Sequence, residues 1–307
     1  MREWRIFFGV FLSTTIFVCG IYLERCVFRE VTAKHVVFRV STPREELDYD
    51  FMAALAYLKK RFEENGYRVW GTAYAGRLYP KLFDRAGINV YVRGFEPFYD
   101  LRTNEKALNV FYIQRMETIY REELQRYDYY LSSQKGLQNA LKDTLKIDFL
   151  EGGAVKHEAL KPSYLADVLY IYEYKNSEYE AFLQSLDAKV YSGRTFAGLS
   201  EEMKKKELSS ARLVVYEMGE NGVDDKDYVP YAVYDVMSYG RPVLTNYKEP
   251  LERLFYHNVH WFDSKDDMAA MTMRVLALED EKREAAALEA RERLLALESE
   301  KSFFMKE

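Results

Sequence analysis

From His35 onward, short runs rich in β-branched and aromatic residues alternate with stretches whose apolar positions recur every three to four residues. The runs HVVFRVS (35–41), YRVWGTA (67–73), INVYVR (88–93), LNVFYI (108–113) and DYYLSS (128–133) have the length and continuous apolarity of buried strands. Between the first two lies FMAALAYLKKRFEEN (51–65), which sets Met52, Leu55, Leu58 and Phe62 on one helical face. Asp50 is its expected N-cap and Gly66 its expected stop. The alternation restarts near 165. Strands are predicted over 166–173, 188–193, 212–217, 241–246 and 258–263, and helices over 178–186, 199–208, 228–240 and 249–256. Strands separated by helices imply parallel sheets built from βαβ units. The pattern therefore predicts an α/β chain with two Rossmann-like domains, 33–152 and 164–279, facing each other across a cleft and joined by a hinge at 153–163. The segment 280–307 carries a charged helix (280–299) expected to pack across both domains.

The N-terminus follows a different pattern. Ile6 to Leu23 (IFFGVFLSTTIFVCGIYL) has no charged residue and reaches the minimum span of a transmembrane helix, ~17 residues. Tyr22-Leu23-Glu24-Arg25 offers no small-residue cleavage site, so an anchor is the better reading than a signal peptide. Residues 1–32 thus read as a membrane anchor and linker. Arg2 and Arg5 precede the span, whereas Arg25, Arg29, Lys34, Arg39 and Arg44 follow it, which predicts a single-pass protein with its globular part in the cytoplasm.

Composition narrows the partners. A net charge of −5 argues against a nucleic-acid partner. Two cysteines and four scattered histidines supply neither a disulfide framework nor an evident metal site, and His257 and His260 read as packing or surface residues beside a strand. The 26 tyrosines can stack on sugars or bases, but they serve equally as core and rim packing. No G-x-G-x-x-G, P-loop, G-x-S-x-G or H-E-x-x-H pattern occurs.

Ligands of doubly wound sheets sit at the carboxyl ends of the strands, so two facing sheets direct attention to the cleft between them. The most specific stretch there is DYVPYAVYDVMSYGRPVLTN (227–246): an acidic residue, seven residues, a second acidic residue on an amphipathic helix, then a glycine turn into a buried strand. It resembles the C-terminal domain of GT-B-fold glycosyltransferases (group 1), whose motif runs roughly E-x7-E-A-x-A-x-G-x-P-V. Asp227 and Asp235 fill the acidic positions, and Gly240-Arg241-Pro242-Val243 matches the turn and strand. PLERLFYHNVHWFDSKDDMAAMTMRVLAL resembles the family's continuation. KHVVFRVSTP with DYDFMAALAYLKKRFEENGYRVWGTA, and NVFYIQRMETIYREELQRYDYYLSSQKGLQNAL, resemble its N-terminal half. The likeness spans about 35–300 and leans toward the spore-maturation-protein-like branch. It implies a GT-B-like fold, a nucleotide-sugar donor as co-substrate with no further cofactor and no metal, and a glycan or lipid-linked acceptor in cell-envelope glycan synthesis at the membrane. Asp235 would take the donor's ribose and Asp227 its sugar or diphosphate; alternatively Asp227 caps the helix and Asp235 is solvated. Both positions depart from the family by carrying Asp where Glu is usual.

Strand-end logic adds further candidates. Lys175, Gly193 and Arg194 follow second-domain strands and suit a diphosphate, while Gly152 and Gly153 suit either backbone approach to phosphate or a hinge. Ser132 to Gly136 could hold an anion or simply cap a helix. A base for transfer belongs on the acceptor side, where Asp48, Asp50, Arg115 and Glu117 stand; with Asp50 expected as the cap, Asp48 is the better base. Two function classes emerge: a glycosyltransferase, or a non-catalytic GT-B-like scaffold with a degenerate donor site.

Overall fold

A computed structural model of the chain describes residues 34–74, 86–94, 98, 106–114, 127–141, 145–172, 177–192, 196, 199–217, 228–246, 248–256 and 258–303. The predicted anchor at 6–23 lies outside them; among the described residues no helix is long and apolar enough to cross a membrane.

The apolar runs pair into two all-parallel sheets. β1 (His35–Val40), β2 (Arg68–Tyr74), β3 (Ile88–Arg93), β4 (Leu108–Ile113), β5 (Tyr129–Ser132) and β6 (Ile147–Phe149) form the first, in the order β2-β1-β3-β4-β5-β6. β7 (Ala166–Tyr172), β8 (Val190–Ser192), β9 (Ala211–Glu217), β10 (Val243–Asn246) and β11 (His260–Phe262) form the second, in the order β11-β10-β9-β7-β8. In both sheets the second strand lies outside the first, and the third lies on the other side. Each sheet therefore has a topological switch point beside its first strand, where doubly wound sheets open a ligand crevice. β6 was not predicted, because Lys146 and Asp148 interrupt its apolar residues; its pairing with β5 supplies what the sequence lacks.

Among the described residues the helices are α1 (Tyr49–Glu64), α2 (Lys135–Leu141), α3 (Ser177–Gln184), α4 (Glu201–Ser210), α5 (Tyr231–Ser238), α6 (Glu249–Phe255), α7 (Lys265–Leu276) and α8 (Asp280–Glu300). α1 corrects the expected cap. Its N-cap is Asp48, whose carboxylate accepts from the Phe51 N–H at 2.7 Å, and Asp50 is inside the first turn. The helix starts two residues earlier than predicted because Tyr49 is drawn into the interior, its ring 5.2 Å from that of Phe196. Gly66, at φ +81°, follows the helix end at the left-handed position that a stop requires.

A single hydrophobic core cluster runs through residues of both sheets, with α1 packed on α5; the Tyr57 and Tyr231 rings meet at 5.5 Å. α8 extends this union. Near its start Arg283 donates to the Arg212 carbonyl of β9 (3.2 Å). Beyond its end Arg61 of α1 donates to the Lys301 and Ser302 carbonyls (3.1 and 2.7 Å), and the Phe303 ring packs 5.5 Å from Phe62. The segment 153–163 runs without helix or strand, tied to the second sheet's side through Leu160 N–H to the Tyr239 carbonyl (2.9 Å).

At the switch point of the first sheet the Gly94 N–H donates to Ser41 Oγ at 2.8 Å. An added Cβ on Gly94 would lie inside contact distance of the Thr42 hydroxyl and 2.9 Å from the Thr42 Cβ, whereas one on Gly66 would meet nothing within 4 Å. Gly66→Ala should therefore cost only left-handed strain, about 1 kcal/mol. Gly94→Ala should cost about 1–3 kcal/mol through overpacking against a fully buried threonine. Urea denaturation of the two variants checks the ranking; equal losses would show that Thr42 yields freely.

Candidate functional site

The second acidic position of the 227–246 motif lies on α5, and all eight residues of α5 are buried. A short helix shut away from water on every side has to find partners for its end groups elsewhere. Its N-cap, Pro230, provides no side-chain acceptor. The acceptor comes from α1: Asp50 Oδ1 receives the Ala232 N–H at 3.1 Å. The other oxygen of Asp50 receives the Tyr228 hydroxyl at 2.5 Å and the Gln114 amide at 2.7 Å, and the carboxylate has no exposed surface. At the far end, Arg291 of α8 donates to the Ser238 carbonyl at 2.8 Å and to the His157 carbonyl at 2.5 Å. The charges at both ends have the sign that the helix dipole favours.

Asp235 sits at the centre of this helix. Its Oδ2 accepts from the Tyr49 hydroxyl at 2.6 Å, its Oδ1 lies 3.1 Å from His157 Nε2, and Lys204 Nζ of α4 lies 3.6 Å away. Burial raises the carboxyl's pKa, yet the His157 hydrogen bond, the Lys204 charge and the Tyr49 hydroxyl outweigh it and leave the group below its ordinary value. Burial and then the Asp235 charge hold the Tyr49 phenol well above its own range, so it remains a donor. His157 stacks on Tyr239 with centroids 4.0 Å apart, and its Nδ1 lies 3.6 Å from Glu201, which also accepts from Lys204 at 3.0 Å and from the Tyr239 hydroxyl. A second polar string, Tyr112–Ser133 (2.5 Å) and Ser133–Tyr231 (3.1 Å), joins the ends of β4 and β5 to the start of α5.

The predicted residues fare differently. Asp235 and Asp50 meet the same helix, one on it and one against its N-terminus. Asp48, predicted as the base, instead has an oxygen committed to capping α1, and its side chain is buried. Gly152 and Gly153 serve close packing: an added Cβ on Gly152 would come 2.8 Å from the Tyr234 ring, and one on Gly153 would overlap Glu298 of α8. Ser132 accepts from the Gln134 N–H at 3.0 Å, the capping alternative for that segment. His260 is a strand residue whose pKa burial lowers, followed by the nearby Arg274 charge. Arg115, Glu117, Lys175, Gly193, Arg194, Asp227 and His257 lie outside the described residues. The sequence reading missed Tyr49, His157, Lys204, Tyr228 and Gln114. Tyr228 carried a signal as a member of the motif and Gln114 as the residue that follows the 108–113 strand; Tyr49, His157 and Lys204 stand in stretches whose polarity reads as ordinary surface. Among the described residues no group of three or more His, Cys, Asp or Glu is placed to hold a metal.

Residues 175–299 match the family described as glycosyl transferase-like. No curated protein matches the chain by sequence. In structure the chain is similar to a DNA-modifying β-glucosyltransferase solved with and without uridine diphosphoglucose, at 14% identity and a TM-score of 0.51 over 86% of this chain and 95% of that one. It is similar to an α-glucosyltransferase in complex with UDP (10% identity, TM-score 0.52, 85% and 95% covered). It is also similar to an α-glucosyltransferase in complex with UDP-glucose and DNA containing an abasic site (11%, 0.54, 85% and 94%). The two parallel sheets are those of the GT-B fold, and the glycosyl transferase-like match covers the second sheet's half of the chain. None of these matches singles out the spore-maturation-protein-like branch.

The environment of Asp235 fixes a pH dependence. Its folded pKa lies below the ordinary 3.8, so its contribution to stability is present above pH 3.8 and lost as the pH falls through the folded value. Asp235→Asn should lower stability at neutral pH by about 1–3 kcal/mol, the range for hydrogen bonds to a charged group. The gap to the parent should close below about pH 4. Denaturation midpoints between pH 2 and pH 7 check this; a gap independent of pH would show that the carboxylate is not the charged partner of His157 and Lys204.

Proposed function

We propose that the chain transfers a sugar from a nucleotide-sugar donor, with Asp235 as the acceptor of the donor's ribose hydroxyls. The observation that carries this reading is an ionised carboxylate buried on α5 at the second acidic position of the motif. Such a group forms strong, charge-assisted hydrogen bonds with hydroxyls brought to it. In the transfer, an acceptor hydroxyl oxygen would attack the anomeric carbon as the bond from that carbon to the diphosphate breaks. The leaving nucleoside diphosphate needs positive charge and N–H donors; Lys175, Arg194, Gly193 and the start of α5 are the groups we assign to it, with Asp227 toward the sugar. With Asp48 committed to its cap, Glu117 remains the acceptor-side group to take the hydroxyl proton, and Arg115 supplies a fixed positive charge. No metal is required in this reading. The acceptor is a glycan or lipid-linked saccharide at a membrane to which residues 6–23 anchor the chain, the globular part being cytoplasmic. A second reading, a scaffold without transfer activity, is favoured by one observation: Asp235 and the α5 N-terminus are both already supplied with protein partners.

Thermal denaturation with a panel of nucleoside diphosphates separates the two. A donor nucleotide at a hundredfold excess over its Kd should add about 2.7 kcal/mol of stability and raise the Tm by several degrees. Asp235→Asn should bind that nucleotide about ten- to a hundredfold more weakly, from the loss of a charge-assisted bond. A panel with no shift at all supports the scaffold. For the anchor, a C-terminal fusion to a phosphatase active only outside the cytoplasm should stay inactive; activity would reverse the orientation.

A further inference from the structure

We infer that the first turn of α1 occupies the donor site as an internal stand-in for a nucleoside diphosphate, so that donor binding requires this turn to withdraw from α5. The inference rests on the reading of Asp235 as the ribose acceptor and adds to it how the site is gated.

Two adjacent residues of one turn make the two contacts that such a ligand needs. The Tyr49 hydroxyl donates to Asp235 at 2.6 Å, as a ribose hydroxyl would. The Asp50 carboxylate accepts from the Ala232 N–H at the α5 N-terminus at 3.1 Å, as a phosphate oxygen would. The hydroxyl of Tyr228 and the amide of Gln114 also donate to this carboxylate, at 2.5 and 2.7 Å. Both residues are almost wholly buried, and the Tyr49 ring packs beside Phe196 and under the Lys204 ammonium, 5.7 Å from its centroid. A phosphate seated on the Ala232 N–H would press against the Asp50 carboxylate, two anions at one donor, and the buried Tyr49 ring fills the approach to Asp235 that a ribose would use. Ligand and turn therefore compete. The groups that would hold a donor need not be idle before it arrives, because Tyr49 and Asp50 keep Asp235 and the buried helix end satisfied in the closed form. The apparent affinity for donor is then the intrinsic affinity scaled by the fraction of molecules in which the turn has withdrawn.

The test titrates UDP and the other nucleoside diphosphates against the full chain, Tyr49→Phe and Asp50→Asn by calorimetry, with amide hydrogen exchange followed over 48–52 and 231–238. Tyr49→Phe keeps the ring packing and removes only the competing hydroxyl. It should bind nucleotide about tenfold more tightly than the parent, through a larger open fraction. In the parent, bound nucleotide should speed exchange at 48–52 and slow it at 231–238. Equal affinities in parent and variants, or an α1 turn whose exchange is unmoved by bound nucleotide, would overturn the gating while leaving the donor site standing. If the variants exchange faster at 231–238 but neither they nor the parent bind any nucleotide, the turn guards no donor site, and the functional reading falls together with the inference.

Discussion

A carboxylate with no contact with water must be surrounded by donors, and Asp50 finds its donors far off in sequence, at Gln114 after β4 and at Tyr228 and Ala232 by the start of α5. That contact is the one on which the rest of the architecture leans. Eight residues are too few to hold a helix by their own hydrogen bonds, and α5 has no polar face to turn toward solvent. It exists because its apolar surface is packed on every side and because its end groups are taken by residues remote in sequence, Asp50 at one end and Arg291 at the other. Leaving either end unpaired in the interior would cost on the order of 1–3 kcal/mol. The same two residues decide what else can lie beside α5. Asp50 brings α1, and with it the first sheet; Arg291 brings α8 and, through the His157 carbonyl, the segment joining the two sheets. The chain's end then returns to α1 through Arg61 and Phe303, closing a circuit of contacts around the central helix.

Much of this fold was legible because parallel sheets are buried on both faces, and burial on both faces writes itself as an uninterrupted apolar run. HVVFRV, INVYVR and ARLVVYE need no partner to be read as strands. β6 escaped because Lys146 and Asp148 break its apolar run, leaving its pairing with β5 to define it. The candidate site was legible only in part. The motif found Asp235 and its helix, but an Asp-x-Asp pair offers two equivalent N-caps to any local argument. What separates Asp48 from Asp50 is the Ala232 N–H, 182 residues away from Asp50 in sequence. Local chemistry therefore reversed their roles. His157 and Lys204 were invisible for a related reason: each lies in a polar stretch, and each becomes a site residue only where the connecting segment and α4 converge on Asp235.

The departure from the family pattern at position 235 has a physical counterpart in this geometry. In the resembling motif a glutamate stands there, with a carboxylate one methylene, roughly 1.5 Å, further from the helix. Position 235 faces a surface already lined by Tyr49, His157 and Lys204, at 2.6, 3.1 and 3.6 Å from the aspartate's oxygens. A longer acid would drive its oxygens into the Tyr49 hydroxyl unless α1 stood further from α5. But α1 is held close, by the Asp50 bond to Ala232 and by the Tyr57–Tyr231 contact. The shorter side chain and the tight α1–α5 seam are thus two sides of one constraint. A carboxylate withdrawn by one methylene is the acid that fits while the two helices remain in contact, and it still presents a charged acceptor when they part.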